Sequence, residues 1–233
     1  MYFSMITPKP GRERDAAASR ATGPYREHQW LWQFFEAPEG TPRDFLFRSS
    51  DVDGMPRYHV VSARRPSPAM DGWDVQSREY DPKVAEGACL RFELRANPVV
   101  THKREGKSRR DDVVMHAKRE MLDARGLARW KDWVDEDKPP LYELVTNVCG
   151  QWLRSRAQQA GFAVIDGSLR VDNYNRVAEK APKRANGKAI QLSTVDFSGE
   201  LEVQDVERFR MALLQGIGHA KAFGCGLLLV RPA

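Results

Sequence analysis

The sequence predicts an α+β fold of two tandem ferredoxin-like (RRM-like) βαββαβ domains with antiparallel sheets. From residue 88 onward, apolar periodicity indicates the order β-α-β-β-α-β once a basic insertion is set aside. The first 80 residues repeat this order with an uncertain second helix. The chain has 233 residues, 41% of them hydrophobic, which suits two small cores. We therefore expect domains at residues 1–84 and 87–233.

The first unit begins with a strand at residues 2–6, followed by a polar segment at 8–23 that we expect to be a loop. A helix then runs from Pro24 to Glu36, because proline is favoured at the first helical position and apolar side chains recur at helical spacing. Thr22 and Gly23 can cap it. The remaining strands, the first two forming a hairpin, are predicted at 43–48, 57–63 and 73–80.

The second unit opens with a half-buried strand at 88–96, in which apolar and charged residues alternate. We expect a helix over 112–133, and the clearest helical periodicity of the chain runs from Leu141 to a terminating Gly161. The elements that follow are strands at 162–173 and 189–203, a helix at 205–215 and a strand at 227–230.

A glycine-rich loop joins the last helix to the last strand, with glycines at Gly216, Gly218, Gly224 and Gly226. Dinucleotide fingerprints and P-loops place a strand before the glycines and a helix after them. The order here is reversed and Gly-Lys-Ser/Thr is absent, so both nucleotide motifs are excluded. Two interpretations stay open: a helix cap with a tight turn, or a backbone that approaches a bound molecule closely.

The net charge of +5 favours a polyanionic partner. Basic residues concentrate in two acid-poor runs between structured elements, and these are Lys103, Arg104, Lys107, Arg109 and Arg110 in the first and Arg176, Lys180, Lys183, Arg184 and Lys188 in the second. A charge run is commonly a solvated loop. A basic hairpin tip can also track RNA phosphates, with Lys221 of the glycine loop available to a further phosphate.

Cysteine content and hydropathy indicate in which cellular compartment the protein is expected. Cys89, Cys149 and Cys225 are far apart and form no CxxC, which argues against zinc and disulfides and fits a reducing compartment. No segment approaches the roughly 20 apolar residues of a membrane span. Charged residues from Arg12 to Asp15 interrupt any leader sequence. We therefore expect a cytoplasmic protein with no membrane partner.

Tyr25 and His28 lie three residues apart on one face of the first predicted helix. A helix N-terminus attracts phosphate and disfavours imidazolium, so we expect the pKa of His28 to lie at or below its ordinary value. A histidine, a tyrosine hydroxyl and a held phosphate suffice for RNA cleavage by the neighbouring 2′-hydroxyl, without metal or protein nucleophile. The competing interpretation is a partly buried histidine and a packed aromatic.

Metal and small-molecule cofactors lack sequence support. The other histidines, His59, His102, His116 and His219, form no HxH or HExxH pattern, and no carboxylates cluster as two-metal chemistry requires. A Gly-x-Ser-x-Gly elbow is also absent. We expect no metal site and no cofactor.

Four segments, in their order and approximate spacing, resemble the CasE family of CRISPR-associated endoribonucleases, which mature guide RNA in the type I-E Cascade system. The segments are Tyr25-Arg-Glu-His28, Arg43-Asp-Phe-Leu-Phe47, Leu94-Arg-Ala-Asn-Pro98 and residues 215–228. The resemblance covers essentially the whole chain. It implies metal-independent cleavage of CRISPR repeat precursor RNA at the 3′ base of its stem-loop, giving 5′-hydroxyl and 2′,3′-cyclic phosphate ends.

The resemblance also implies roles for particular residues. His28 and Tyr25 would be catalytic, while the glycine loop at 216–226 and the basic hairpin at 174–189 would hold the RNA stem. The mature guide would stay bound and join the other Cascade subunits. Two other function classes stay open: a non-catalytic stem-loop RNA-binding subunit of the same fold, and a basic metabolic enzyme.

Overall fold

The computed structural model describes residues 1–20, 23–38, 40–67, 70–104, 107–179 and 190–233. Its strands are β1 (Tyr2–Pro8), β2 (Phe45–Val52), β3 (Met55–Ser62), β4 (Trp73–Glu79), β5 (Cys89–Ala96), β6 (Val99–Arg104), β7 (Lys107–Asp112), β8 (Phe162–Val164), β9 (Arg170–Glu179), β10 (Ile190–Val203) and β11 (Leu228–Pro232). Its α-helices are α1 (Glu13–Ser19), α2 (Pro24–Leu31), α3 (Val113–Asp123), α4 (Leu141–Gln159) and α5 (Val206–Gln215).

Two antiparallel sheets form the framework. The first has the strand order β2-β3-β1-β4, and the second has β11-β5-β10-β8 with β9 also paired to β10. The two sheets can be compared by numbering the strands of each from 1 to 4 in chain order, leaving out the β6–β7 hairpin and counting β8 and β9 together as one strand. Both sheets then have the order 4-1-3-2. This shared order is that of the ferredoxin-like unit, so the predicted class of two tandem ferredoxin-like domains is confirmed. The boundaries at residues 84 and 87 stay a prediction.

The polar segment at 8–23 contains a helix, so the prediction of a loop there is wrong. Three consecutive alanines favour helix, and Ala16 is fully buried in the core of the first unit. The indole Nε1 of Trp73 donates a hydrogen bond to Ser19 Oγ at 2.9 Å, which fixes the end of α1 against β4. Packing against the sheet therefore stabilises α1, because a helix of seven residues is marginal in isolation.

The predicted helix over 24–36 is shorter than expected. α2 ends at Leu31, and a 3-10 turn continues it over Trp32–Phe34. Trp30, Leu31 and Phe34 are buried. Between β3 and β4 the described residues contain no helix, so the uncertain second helix of this unit does not form within them.

The second unit departs from the predicted elements at three places. The first basic run folds as the β6–β7 hairpin, a separate two-stranded sheet. The helix predicted over 112–133 ends at Asp123, and an irregular segment brings Trp133 into a buried position under Arg125, whose Cζ lies 3.8 Å from the ring centroid. The strand predicted over 162–173 is instead the two strands β8 and β9.

The two units pack against each other through an apolar cluster at the first sheet. Leu46 and Val61 of that sheet are buried together with Leu227, which immediately precedes β11. Arg48 forms an ion pair with Glu93 of β5 at 3.3 Å. This packing holds the segment between α5 and β11 against the first unit.

Hydrophobic helices of membrane-spanning length do not occur in the described ranges.

Candidate active site

His28 lies near the end of α2 and is partly buried. Its Nε2 is 3.2 Å from the indole Nε1 of Trp32. An indole N–H can only donate, so Nε2 accepts this bond and a neutral His28 carries its own proton on Nδ1. The ring also contacts Phe45 of β2, with the two ring centroids 6.1 Å apart. The tautomer of His28 is therefore set by a neighbour one turn further along the chain.

The pKa of His28 is lowered, first by burial of the imidazole and second by the positive charge of Arg43. The direction agrees with the prediction from sequence. The cause differs from the prediction. Burial and the guanidinium of Arg43 lower the pKa, whereas the helix N-terminus was expected to lower it. Both causes favour the neutral imidazole of His28 in the free protein.

Tyr25 lies one turn before His28 on α2 and is also partly buried. The side-chain amide of Gln29 lies 3.4 Å from its hydroxyl oxygen and donates to it. The phenolic group and the imidazole therefore project from consecutive turns of the same helix, as the spacing predicts.

A buried carboxylate ties α2 to the first sheet. Glu27 accepts hydrogen bonds from the Tyr58 hydroxyl at 3.0 Å and from Ser49 Oγ at 3.4 Å. Arg20 donates to the same Tyr58 hydroxyl at 3.0 Å. Burial raises the pKa of Glu27, while Tyr58 and Arg20 oppose that rise. Glu27 lies between Tyr25 and His28 in sequence, so this network fixes the helix that carries both.

The glycines of the loop between α5 and β11 face protein. A Cβ on Gly216 would lie 2.8 Å from the Gly226 carbonyl oxygen, and one on Gly224 would lie 3.2 Å from the Phe47 ring. A Cβ on Gly218 would lie 3.2 Å from the ring of Trp152. The loop is closed by the hydrogen bond from the Ile217 amide to Gly226 at 2.8 Å. A cap and tight turn therefore describe these glycines, and their contact with RNA stays a prediction.

The glycine loop and α2 are neighbours, although they are far apart in sequence. The 3-10 turn Lys221–Phe223 packs against α2. Arg43 donates a hydrogen bond to the Lys221 carbonyl oxygen at 3.1 Å. The Lys221 ammonium donates to the carbonyl of Gln215 at 2.7 Å, and its pKa is lowered by burial and by Arg43. The loop thus lies against the helix that carries Tyr25 and His28.

The predicted RNA-binding side chains lie on the second unit. Arg109 and Arg110 on β7 and Arg176 on β9 are exposed, and Arg109 pairs with Asp111 at 3.0 Å. Lys103 and Arg104 lie on β6 by their backbone positions. The remaining predicted side chains of the basic hairpin fall outside the described residues, and these are Lys183, Arg184 and Lys188.

A second group of cations surrounds His219 in the glycine loop. The pKa of His219 is lowered first by burial and then by Arg110, Arg156 and Lys221. The Arg156 guanidinium lies 5.8 Å from the centroid of the Trp152 ring, the ring that Gly218 approaches from the loop. The loop therefore connects the Tyr/His helix to the basic side of the second unit.

Groups of three or more His, Cys, Asp or Glu side chains placed to hold a metal ion do not occur in the described part of the chain. The expectation of a reaction without metal stays a prediction.

A family model described as "CRISPR associated protein" matches residues 1–232. The chain belongs to this family. The resemblance stated from four segments is thereby confirmed at the level of the family.

Relatives of this CRISPR-associated protein match along its length. The CRISPR system Cascade subunit CasE of Escherichia coli K12 is 28% identical over 235 residues, covering 100% of both chains. The CRISPR-associated endoribonuclease Cse3 of Thermus thermophilus is 30% identical over 161 residues, which are 66% of this chain and 61% of the relative. A solved structure of CRISPR endoribonuclease Cse3 bound to 19 nt RNA matches with a TM-score of 0.69 and 25% identity over 100% of both chains.

Three residues of this CRISPR-associated protein interact with His28 or with the glycine loop in ways that were not predicted from the sequence. They are Trp32, Arg43 and Arg156. Arg43 lies inside one of the four segments that resemble the CasE family, which was a signal for it. Trp32 carried only the general apolar periodicity of its predicted helix, and Arg156 carried no signal. Trp32 lies one turn after His28 in the chain, whereas only the folded chain brings Arg43 to His28 and Arg156 to the glycine loop.

Replacing Trp32 with phenylalanine is expected to raise the pKa of His28. The substitution keeps a packed ring and removes the N–H donor that stabilises the unprotonated Nε2, so the imidazolium becomes relatively more favourable. Histidine NMR signals followed against pH measure the change. Trp30→Phe is the matched control, because the buried Trp30 Nε1 has no hydrogen-bond partner among the described residues. An unchanged pKa in Trp32→Phe would contradict the tautomer assignment.

Proposed function

We propose that this chain is an endoribonuclease that cleaves CRISPR repeat precursor RNA at the 3′ base of its stem-loop without a metal ion. It leaves a 5′-hydroxyl and a 2′,3′-cyclic phosphate, and it keeps the guide RNA bound within Cascade. The observation that carries the proposal is the Tyr25/His28 pair on α2, at the place where the glycine loop meets that helix. The names of the relatives, which include an endoribonuclease and a Cascade subunit, support it.

The reaction needs only proton transfers and a held phosphate. The 2′-oxygen forms a bond to the adjacent phosphorus, and the bond from phosphorus to the 5′-oxygen breaks. One proton leaves the 2′-hydroxyl and one reaches the 5′-oxygen, so the protons balance. General acid and base groups accelerate both transfers, and positive charge stabilises the phosphorane-like transition state.

His28 is assigned to the 5′-oxygen. The indole N–H of Trp32 donates a hydrogen bond to Nε2. The N–H on Nδ1 is therefore the group of His28 that can act on the RNA. A bound phosphate opposes burial and Arg43 by favouring the imidazolium. The second proton of the imidazolium goes to Nε2, so the Trp32 N–H must turn away from that nitrogen, and Nδ1 then donates its proton to the leaving oxygen. Tyr25 positions or deprotonates the 2′-hydroxyl from the previous turn of α2.

The RNA stem is assigned to the basic side of the second unit. Arg109 and Arg110 on β7 and Arg176 on β9 are exposed cations. The glycine loop packs against α2, and the charges of Arg110 and Lys221 both act on His219 of that loop. Lys103, Arg104, Lys183, Arg184 and Lys188 belong to the same proposed surface by sequence. Phosphate contacts of this kind weaken steeply with salt, so binding of the stem-loop is expected to fall as salt rises.

The deciding experiment incubates the purified protein with its cognate repeat RNA in excess EDTA. We expect one cut at the 3′ base of the stem-loop and a 2′,3′-cyclic phosphate on the upstream product, identified by mass spectrometry. An RNA with a single 2′-deoxy nucleotide before the scissile phosphate is the matched control and should bind without being cut. Binding without cleavage of the all-ribose RNA would favour the non-catalytic RNA-binding subunit. Loss of cleavage in EDTA, restored by a divalent ion, would contradict the metal-free reaction.

A further inference from the structure

Arg43 lies between the Tyr/His helix and the glycine loop. It precedes β2, and one of its terminal nitrogens, Nη1, donates to two backbone carbonyl oxygens, those of Phe45 and Lys221. The first carbonyl belongs to the first unit and the second to the glycine loop. The guanidinium is therefore held in place by main-chain atoms of both units, while its side chain remains partly accessible.

Arg43 and His28 lie against the same aromatic ring. The Cζ atom of Arg43 is 5.9 Å from the centroid of the Phe45 ring, and the His28 ring centroid is 6.1 Å from it. The two side chains are thus held near each other by a common buried neighbour. The effect of Arg43 on the pKa of His28 agrees with this placement.

The charge of Arg43 is partly offset by the neighbouring Asp44, which opposes the lowering of its pKa. Within the described part of the chain, no carboxylate oxygen lies within ion-pair distance of it. The neighbouring Asp44 is instead bound by both Nε and Nη2 of Arg64, each at 2.7 Å. Burial lowers the pKa of Arg43, because removing a cation from water disfavours its charged form. A partly buried cation that has no ion-paired carboxylate among the described residues, and that lies near a titratable histidine, can receive an anion.

We propose that Arg43 is a catalytic residue whose guanidinium binds the scissile phosphate and stabilises the negative charge that grows on its non-bridging oxygens as the 2′-oxygen attacks. The assignment rests on the proposed function. Arginine suits this role because its planar donors match phosphate oxygens, and two carbonyls already hold it in position. Lys221 is a weaker candidate, since its ammonium is bound to the Gln215 carbonyl of its own loop.

The proposal gives the glycine loop a defined task. The Lys221 carbonyl that accepts from Arg43 belongs to the first residue of the 3-10 turn Lys221–Phe223, which follows Ala220 at φ 57° and ends at Gly224 at φ 76°. The loop would thereby act on the reaction through Arg43, by orienting its guanidinium. This role requires no direct contact between the glycines and RNA.

Single-turnover cleavage of the cognate repeat RNA by Arg43→Gln tests the assignment. We expect the rate to fall about 10²–10³-fold, the usual effect of removing one preorganised transition-state donor. Affinity for the 2′-deoxy RNA should fall less than about tenfold, because most phosphate contacts lie elsewhere. Arg43→Gln should also raise the pKa of His28 in the free protein, measured by NMR, because a cation that opposes protonation is lost.

Arg78→Gln is the matched control, because Arg78 likewise lies over a phenylalanine ring of the first unit, 5.4 Å from the centroid of Phe3. It should cleave at the wild-type rate. Arg43→Lys keeps a positive charge at this position. In Arg43→Ala, guanidinium ion added to the solution supplies the missing positive charge without a covalent link to the chain. We expect each to recover at least tenfold in rate over Arg43→Gln.

The outcomes separate the two proposals. An inactive wild-type protein would overturn the proposed function itself. An active wild type with an equally active Arg43→Gln would overturn the role of Arg43 alone. Arg43→Lys and guanidinium-treated Arg43→Ala as slow as Arg43→Gln would also overturn it, since a loss of fold or packing would then explain the defect.

Discussion

Replacing His28 with alanine is expected to slow cleavage of the repeat RNA by roughly 10²–10⁴-fold, because general acid–base catalysis by one side chain contributes about that much. Binding of the 2′-deoxy RNA should be nearly unchanged, since the proposed phosphate contacts lie mainly on the second unit. Single-turnover kinetics and a binding titration measure the two quantities separately. A rate loss that simply follows a loss of affinity would contradict a chemical role for His28.

A sulfur-substituted RNA decides which proton His28 moves. When sulfur replaces the bridging 5′-oxygen, the leaving group departs as a thiolate and needs no proton. If His28 is the acid, His28→Ala should cleave this RNA at close to the wild-type rate. If the defect persists with the sulfur substrate, His28 acts at the 2′-hydroxyl and the assignment drawn from the Trp32 hydrogen bond is wrong.

His59→Gln is the matched control for His28→Ala. His59 is also a partly buried histidine of the first unit, and its pKa is lowered by burial and by Arg57 and Arg48. It lies on β3 rather than on α2. We expect His59→Gln to cleave at close to the wild-type rate, which would show that the effect at position 28 is not a general response to losing a buried imidazole.

Replacing Gly216 with alanine is expected to lower the free energy of unfolding by about 2–5 kcal/mol, the sum of backbone strain and overpacking. The residue has φ +75°, and a Cβ would lie 2.8 Å from the Gly226 carbonyl oxygen and 2.9 Å from Leu46 Cδ1. The first of these neighbours is backbone and the second belongs to the interface between the units, so neither can move cheaply. Urea unfolding followed by tryptophan fluorescence measures the loss.

Gly54→Ala separates backbone strain from packing. Gly54 has φ +76°, and a Cβ there would meet nothing within 4 Å. We expect it to cost only about 1–2 kcal/mol, the strain of a left-handed alanine. Equal losses in the two variants would show that the Gly216 loop is not tightly packed against the first unit.

Much of the fold could be predicted from sequence where local signals and tertiary packing agree. The clean periodicity from Leu141 onward predicts α4, and the alternation around Phe92 predicts β5, because each pattern directly reflects one buried face. α1 was missed since its stability comes from burying Ala16 and from the Trp73 contact with Ser19, which local composition does not encode. The length of α3 was overpredicted for the same reason: the Trp133 side chain is buried by a turn of the chain rather than by a continuing helix.

The sequence by itself determined the two-unit α+β plan, the placement of Tyr25 and His28 on consecutive turns of one helix, the basic runs of the second unit and the family resemblance. These features depend on spacing within a single element or on the order of elements, and both can be read directly from the sequence. Only the tertiary structure decided that the glycine loop lies against α2 and that Arg43 binds this loop while acting on His28. Such contacts join residues through packing between elements, which no local period records.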